Sequence, residues 1–211
     1  MADHAHATEM PLGGWEGASF PYAIGHKKLG MWLFILSDSM TFSALLVGYA
    51  YMRVAARHWP TPFHFWPSVV GATVMTLLLL SSSLTMVLGV NASRRGDRRA
   101  AVRYILLTVG FGLAFVVLHL NEWRGLIQEG VRLWANPWGS PLFGATFFTL
   151  TGLHMTHVVS GAVYLVCVAI GVSRGTSHAA DVEVCGLYWH FVDLVWMFIF
   201  PLVYLLSVGG R

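Results

Sequence analysis

Five long runs of apolar residues follow one another along the chain, separated by short polar segments. A helix that crosses the hydrocarbon core of a bilayer needs about 20 mostly apolar residues, and each run approaches or exceeds that length. Strands of a membrane barrel alternate apolar and polar residues, whereas these runs are continuously apolar. The pattern therefore predicts an all-α, polytopic transmembrane helical bundle with five spans, at about 29–51, 67–90, 102–120, 142–172 and 184–208.

The segment before the first span is polar and rich in glycine. It lacks the apolar stretch of a secretory signal peptide, so residues 1–28 are predicted to form a polar N-terminal tail. No internal repeat or second domain stands out in the remainder. Residues 29–211 are therefore predicted to form one five-helix transmembrane domain.

The composition agrees with a membrane protein. Hydrophobic residues make up 56% of the chain and charged residues only 11%, against roughly 25% charged residues in a soluble domain. Such a chain lacks the polar surface that a water-soluble globule needs. The net charge of +3 does not indicate a nucleic-acid partner, because loops of membrane proteins collect basic residues for another reason.

The basic residues of the loops predict the orientation in the membrane. An odd number of spans places the two termini on opposite sides, and cytoplasmic loops carry the excess of Lys and Arg. The N-terminus is therefore predicted to be cytoplasmic and the C-terminus periplasmic. The N-terminal side carries Lys27, Lys28, Arg94, Arg95, Arg98, Arg99, Arg103 and Arg174, and the other side carries Arg53, Arg57, Arg124, Arg132 and Arg211.

Ionisable residues interrupt three of the apolar spans. Such groups are costly inside hydrocarbon and mark either functional sites or structural partners. The two histidines of the fourth span are three residues apart, as are the histidine and aspartate of the fifth, so each pair shares a helix face. Similar depths in the membrane predict one buried polar cluster, formed by Asp38, His154, His157, His190 and Asp193.

This cluster has three possible interpretations. A metal or haem site is chemically possible, but no two histidines lie at matched depths with space cleared by small residues. A proton path needs polar groups across the whole bilayer, and the second and third spans supply few ionisable ones. A set of paired groups that holds the helices together is favoured, because the first and fourth spans also carry stripes of small residues. A further pair, His119 and Glu122, is predicted near the outer surface.

The two C-terminal spans contain the strings FFTLTGLHMTHVVSG and YWHFVDLVWMFIF, and the first span contains GMWLFILSDSMTFSALLVGY. Together with SSSLT and NEWRGL between them, these strings resemble subunit III of haem–copper (cytochrome c) oxidases, in the short five-helix bacterial form. Two positions differ from the family pattern: Asp38 stands where glutamate is usual, and His119 where glutamine is frequent. Because aspartate is one methylene shorter, contact with the fourth span is expected to need water or a closer helix approach.

The resemblance implies a non-catalytic accessory subunit of a proton-pumping terminal oxidase that reduces oxygen to water. Haem and copper would lie in subunits I and II, so no catalytic, cofactor-binding or metal-binding residue is expected in this chain. It would pack on subunit I in a bacterial inner membrane, bind structural phospholipid and support proton uptake. Membership of a larger respiratory supercomplex stays open. The residues expected at lipid or subunit contacts are His119, Glu122, Trp123, Arg124, Glu183, Tyr188 and Trp189.

Two alternatives stay open at the level of sequence. One is an accessory subunit of a quinol oxidase or of a nitric oxide reductase, which differs in electron donor or in the gas that is reduced. The other belongs to a different class: a self-contained di-histidine membrane cytochrome or proton carrier. A visible spectrum of the chain distinguishes the latter, because bound haem absorbs strongly.

Overall fold

A computed structural model describes residues 25–138 and 140–208; most of the predicted N-terminal tail, and Arg211 at the other end, lie outside these ranges. The described residues form five helices that are long and apolar enough to cross a membrane, and they contain no strand beyond one isolated bridge. The predicted all-α fold class with five spans is therefore confirmed. The helices are α1 (His26–Ala55), α2 (Val70–Arg94), α3 (Arg98–Gln128), α4 (Pro141–Arg174) and α5 (Ala179–Ile199).

The helices are longer than the apolar runs, because polar residues at the ends of the runs are also helical. Capping residues then mark where the helices begin and end. The carboxylate of Asp97 caps α3 by accepting a hydrogen bond from the backbone N–H of Ala100 at 2.9 Å. Helix α4 ends at Gly175, whose φ of 76° lies in the left-handed region that favours glycine. Beyond α5, Pro201 removes one backbone donor, and the chain continues through a π-helical turn and a 3₁₀ turn to Ser207.

Helix α5 lies at the centre of the bundle. It packs against α1, α2 and α4, while α3 packs against α2 and α4. Of the five helices α5 is the most buried and α1 the least. Most of α1 therefore presents apolar side chains outward, among them Leu33, Leu36, Met40 and Val47.

Two glycines allow α3 and α4 to approach the indole of Trp189 on α5. A Cβ atom added at Gly112 would lie 2.6 Å from Cη2 of Trp189, and one at Gly161 would lie 3.1 Å from its Cε3. Both distances are shorter than the 3.5–4.0 Å or so of normal carbon contacts. The absence of side chains at these two positions is what allows Trp189 to be fully buried between three helices.

Candidate functional site

Asp38 on α1 and His157 on α4 form a pair inside the bundle. Nε2 of His157 lies 3.2 Å from Oδ2 of Asp38, and both side chains are largely buried. The Nδ1–H of His157 donates to the carbonyl oxygen of Leu153 at 2.8 Å. The aspartate thus reaches the fourth span directly, although its side chain is short.

Tyr188 connects this pair to α5. Its hydroxyl donates to the carbonyl oxygen of His157 at 3.1 Å and lies 2.9 Å from Oγ of Ser160. Phe42 packs its ring edge against His157, with the ring centroids 5.2 Å apart. The pair and its neighbours therefore link α1, α4 and α5 through polar and aromatic contacts.

His154 lies three residues before His157 but contacts different helices. It is fully buried, and its ring stacks on Trp196 of α5 at 5.3 Å and meets the ring of Phe115 of α3 at 5.7 Å. Neither of its ring nitrogens has a hydrogen-bond partner among the described residues. The structure therefore separates His154 from the Asp38–His157 pair.

His119 and Glu122 sit near the end of α3 and meet the residues that follow α5. The hydroxyl of Tyr204 donates to Oε2 of Glu122 at 2.6 Å, and Nδ1 of His119 lies 3.4 Å from the same oxygen. His119 is fully buried and stacks on Phe115. His119 was expected at a lipid or subunit contact, and the structure places it among aromatic residues of this chain.

His190 and Asp193 face α2. Nδ1 of His190 lies 2.6 Å from Oγ of Ser83. Asp193 is only 5% exposed, and neither of its carboxyl oxygens has a hydrogen-bond partner in the described part of the chain. The five residues predicted as one polar cluster therefore lie in three places: the α1–α4 pair, the α3–α5 aromatic stack and the α2–α5 interface.

Tyr188 and Trp189 are also buried within the chain. The indole N–H of Trp189 donates to Oγ of Ser82 at 2.9 Å, and that of Trp196 donates to Oγ1 of Thr76 at 2.9 Å. Tyr188 and Trp189 were expected at lipid or subunit contacts, and the structure places both between helices of this chain. The acceptors of these two bonds, Ser82 and Thr76, are hydroxyl residues within the apolar run of α2, and this residue type is what could have indicated the bonds from the sequence.

Glu183 forms ion pairs with two basic residues at one end of the bundle. Nζ of Lys28 lies 2.5 Å from Oε1, and Nη2 of Arg94 lies 2.8 Å from Oε2. Beside them, Nζ of Lys27 lies 2.6 Å from Oδ1 of Asp181. Sequence reasoning missed these partners, although all five residues fall on the same predicted side of the membrane. The contacts join the ends of α1, α2 and α5.

The last two predicted contact residues lie near the opposite end of α3. Trp123 is half-buried and packs against His119 and Phe148, with ring centroids 5.6 and 5.2 Å apart. Arg124 is exposed. Arg53 of α1, which the sequence did not single out, donates to Oγ of Ser207 at 2.6 Å and to the carbonyl oxygen of Leu206.

Two grooves open on the surface between helices. The outer groove, of about 550 Å³, lies between the residues that lead into α2 and the end of α3, and Trp66, Val74, Leu118, Asn121 and Glu122 are among its lining. The α2–α5 groove, of about 280 Å³, is lined by Val87, Val90, Asn91 and Arg94 of α2 and by Glu183, Gly186, Leu187 and His190 of α5. Within the described ranges, no three His, Cys, Asp or Glu residues are grouped as metal ligands.

A family model described as cytochrome c oxidase subunit III matches residues 14–208, which include all of these contacts. The chain belongs to the cytochrome c oxidase subunit III family. It is similar to cytochrome c oxidase subunit 3 of Alkalihalophilus pseudofirmus, with 31% identity over 188 residues that cover 88% of this chain and 89% of the relative. Quinol oxidase subunit 3 of Bacillus spizizenii is 33% identical over 187 residues, covering 86% and 88%. Cytochrome c oxidase subunit 3 of Corynebacterium diphtheriae is 32% identical over 186 residues, covering 85% and 88%.

The resemblance seen in the sequence strings is thus confirmed. As a member of the subunit III family, the chain is a multi-pass membrane subunit of a haem–copper oxidase, an oxidoreductase complex of electron transport. The names of its relatives include both cytochrome c oxidases and quinol oxidases. The buried polar contacts are therefore those of a subunit III.

Proposed function

We propose that this chain is the non-catalytic accessory subunit of a proton-pumping cytochrome c oxidase in a bacterial inner membrane. In this proposal subunits I and II hold the haem and copper groups, and this chain packs on subunit I. The observation that carries the proposal is the engagement of His157, whose two ring nitrogens contact Asp38 and the carbonyl oxygen of Leu153.

The engagement of both nitrogens matters because a metal-ligating imidazole must offer a free nitrogen to the metal. In His190 one of the two ring nitrogens, Nδ1, lies 2.6 Å from Oγ of Ser83. Polar contacts between membrane helices stabilise helix association, since lipid does not compete for them as water does. These contacts support a role in holding the bundle, and the complex, in one arrangement.

The exposed face of α1 supports the packing on subunit I. Leu33, Leu36, Met40 and Val47 project from it, and no other helix of the described bundle covers them. Small hydroxyl residues such as Ser37 lie among them and allow close helix approach. We assign this face to subunit I.

Lipid binding is supported at the outer groove. Its lining is mostly apolar, as an acyl chain requires, and Asn121 and Glu122 supply polar atoms for a head group. The exposed guanidinium of Arg124 lies on the same stretch of α3 and suits a lipid phosphate. Support of proton uptake is a separate and indirect part of the proposal: by packing on subunit I, this chain fixes the helix surroundings of subunit I on the predicted cytoplasmic side.

Purification of the complex through an affinity tag on this chain tests the proposal. Mass spectrometry should identify subunits I and II, and oxygen consumption should be supported by reduced cytochrome c. Oxidation of quinol without cytochrome c would favour the second candidate, a quinol oxidase, which the relative from Bacillus spizizenii supports. Reduction of nitric oxide in place of oxygen would contradict both candidates.

The variant Asp38→Ala tests the non-catalytic role, with Ser39→Ala as its control, because Ser39 bonds only to its own helix at the Leu36 carbonyl. Asp38→Ala should reduce the amount of this chain retained in the complex, while haem and copper per subunit I stay unchanged. Ser39→Ala should change neither. Loss of the haem absorbance per subunit I in Asp38→Ala, or a haem spectrum from this chain alone, would contradict the proposal.

A further inference from the structure

The α2–α5 groove leads from one end of the bundle toward its interior. On each helix the lining residues recur at three- and four-residue intervals, so they form one continuous face. The charged residues Arg94 and Glu183 stand at the mouth, 2.8 Å apart. His190 lies two helical turns further along α5, about 10 Å deeper at 1.5 Å per residue.

Polar side chains follow the lining residues on both α2 and α5, beyond the inner end of the groove. Ser83 lies one turn beyond Val87 on α2, and Asp193 lies one turn beyond His190 on α5. Ser83 and His190 are in contact, with 2.6 Å between Oγ and Nδ1. Asp193 is 5% exposed, and its two oxygens have no hydrogen-bond partner among the described residues. The inner end of the groove is therefore followed by a buried acid.

We propose that the α2–α5 groove is a water-filled inlet that delivers protons to a binding site formed by His190, Ser83 and Asp193. An ionisable group in the hydrocarbon region is costly unless water or a partner reaches it. The groove gives water a route as far as His190, which lies one helical turn from Asp193. This site lies within the accessory subunit itself, so the inference goes beyond its proposed role of supporting subunit I.

The proposed proton transfer involves water in the groove and the side chains of His190, Ser83 and Asp193. His190 accepts a proton at Nε2 from a hydronium ion in the groove, which becomes water, and the imidazole becomes a cation, because it exchanges protons with water near neutral pH. Loss of a proton from that cation to an ionised oxygen of Asp193 gives a neutral acid and returns His190 to its neutral form. Ser83, in contact with Nδ1, can donate to or accept from the ring in either state.

The other titratable groups around α5 are engaged elsewhere. Neither His190 nor Asp193 forms an ion pair within the described part of the chain. The charges at the mouth are paired with one another, and the acids and imidazoles of α1, α3 and α4 contact residues other than His190 and Asp193. These groups are Arg94 on α2, Lys27, Lys28 and Asp38 on α1, His119 and Glu122 on α3, His154, His157 and Tyr164 on α4, and Asp181, Glu183, Cys185 and Tyr188 on α5.

Cysteine labelling in membrane vesicles of the whole oxidase complex tests the water route. The background carries Cys167→Ser and Cys185→Ala, and His190→Cys or Asp193→Cys is labelled with a charged, membrane-impermeant methanethiosulfonate. Both should react from the side that bears Lys28 and Arg94, and not from the other side. Leu194→Cys is the matched control, because it lies next to Asp193 but 54% exposed on the outer face of the bundle; in lipid it should not react. Equal reactivity of all three variants, or none at His190→Cys and Asp193→Cys, would overturn the inlet.

Infrared spectroscopy of the native complex tests the proton site without a cysteine. A carboxylic acid band that is absent in Asp193→Asn should shift when water is exchanged for D₂O. Leu187→Trp, which fills the groove, should slow this shift by about tenfold or more, the change that about 1.4 kcal/mol of barrier produces. Absence of the Asp193 band over the accessible pH range, or an exchange rate that Leu187→Trp leaves unchanged, would overturn the proposal.

Discussion

The substitution Gly112→Ala should destabilise the bundle through Trp189. The new Cβ would lie 2.6 Å from Cη2 and 2.9 Å from Cζ2 of the indole, about 1 Å inside normal contact. The indole cannot simply move away, because Gly161 of α4 closes on its other edge and its N–H is bonded to Ser82. Overpacking of a core costs about 1–3 kcal/mol, and we expect the upper half of that range here, because relaxation is blocked on two sides.

Denaturant unfolding of the purified chain in detergent micelles, followed by circular dichroism, measures this cost. Gly110→Ala is the matched control, since a Cβ there meets nothing within 4 Å, and it should be neutral or slightly stabilising. A smaller ring should restore stability, so Trp189→Phe should lose less in the Gly112→Ala background than in the native chain. If Gly112→Ala and Gly110→Ala unfold at the same midpoint, the reasoning from the indole contact is refuted.

Three further substitutions test other contacts. Tyr204→Phe removes the donor that lies 2.6 Å from Glu122 and should cost about 1 kcal/mol in the same titration, whereas an unchanged midpoint would show that the bond contributes nothing. Glu183→Gln should lower stability by less than about 1 kcal/mol, since its partner Arg94 is largely exposed, but should speed amide exchange in the first turns of α1; unchanged exchange there would contradict the bridging role. Arg124→Ala should leave stability unchanged and reduce the phospholipid that mass spectrometry finds in the purified complex, and full lipid retention would argue against a head-group contact.

The number and type of the helices followed from the sequence, because continuous apolar runs of spanning length have one stable form in a bilayer. The positions where the helices begin and end did not follow from the sequence, because the apolar runs stop at the boundary of the hydrocarbon whereas the helices continue beyond it. Helix α3 begins at a cap formed by Asp97, and α4 runs on to a left-handed glycine at Gly175. Both positions carry residue types that signal a helix end, so capping rules predict them better than hydropathy does.

The sequence identified the ionisable residues that lie within apolar helices, but it did not predict which residues they contact. The position of a residue along its helix gives its depth in the membrane. The direction in which its side chain points around the helix decides which residues it contacts. His154 and His157 are three residues apart, yet one stacks on Trp196 and the other meets Asp38. Trp189 was expected at a lipid or subunit contact on the basis of the family resemblance, and the packing of glycines from two other helices accounts for its burial.

A double-mutant cycle between Asp38 and His157 tests most directly the claim that the buried acids and imidazoles are partners across helices. The single substitutions Asp38→Ala and His157→Ala and their combination are compared by the free energy of unfolding in micelles. We expect a coupling energy of about 0.6–1.7 kcal/mol, the range measured between membrane helices, and about zero for the control pair Asp38 and His190, which share no contact. Additive effects of Asp38→Ala and His157→Ala, within about 0.3 kcal/mol, would contradict the claim.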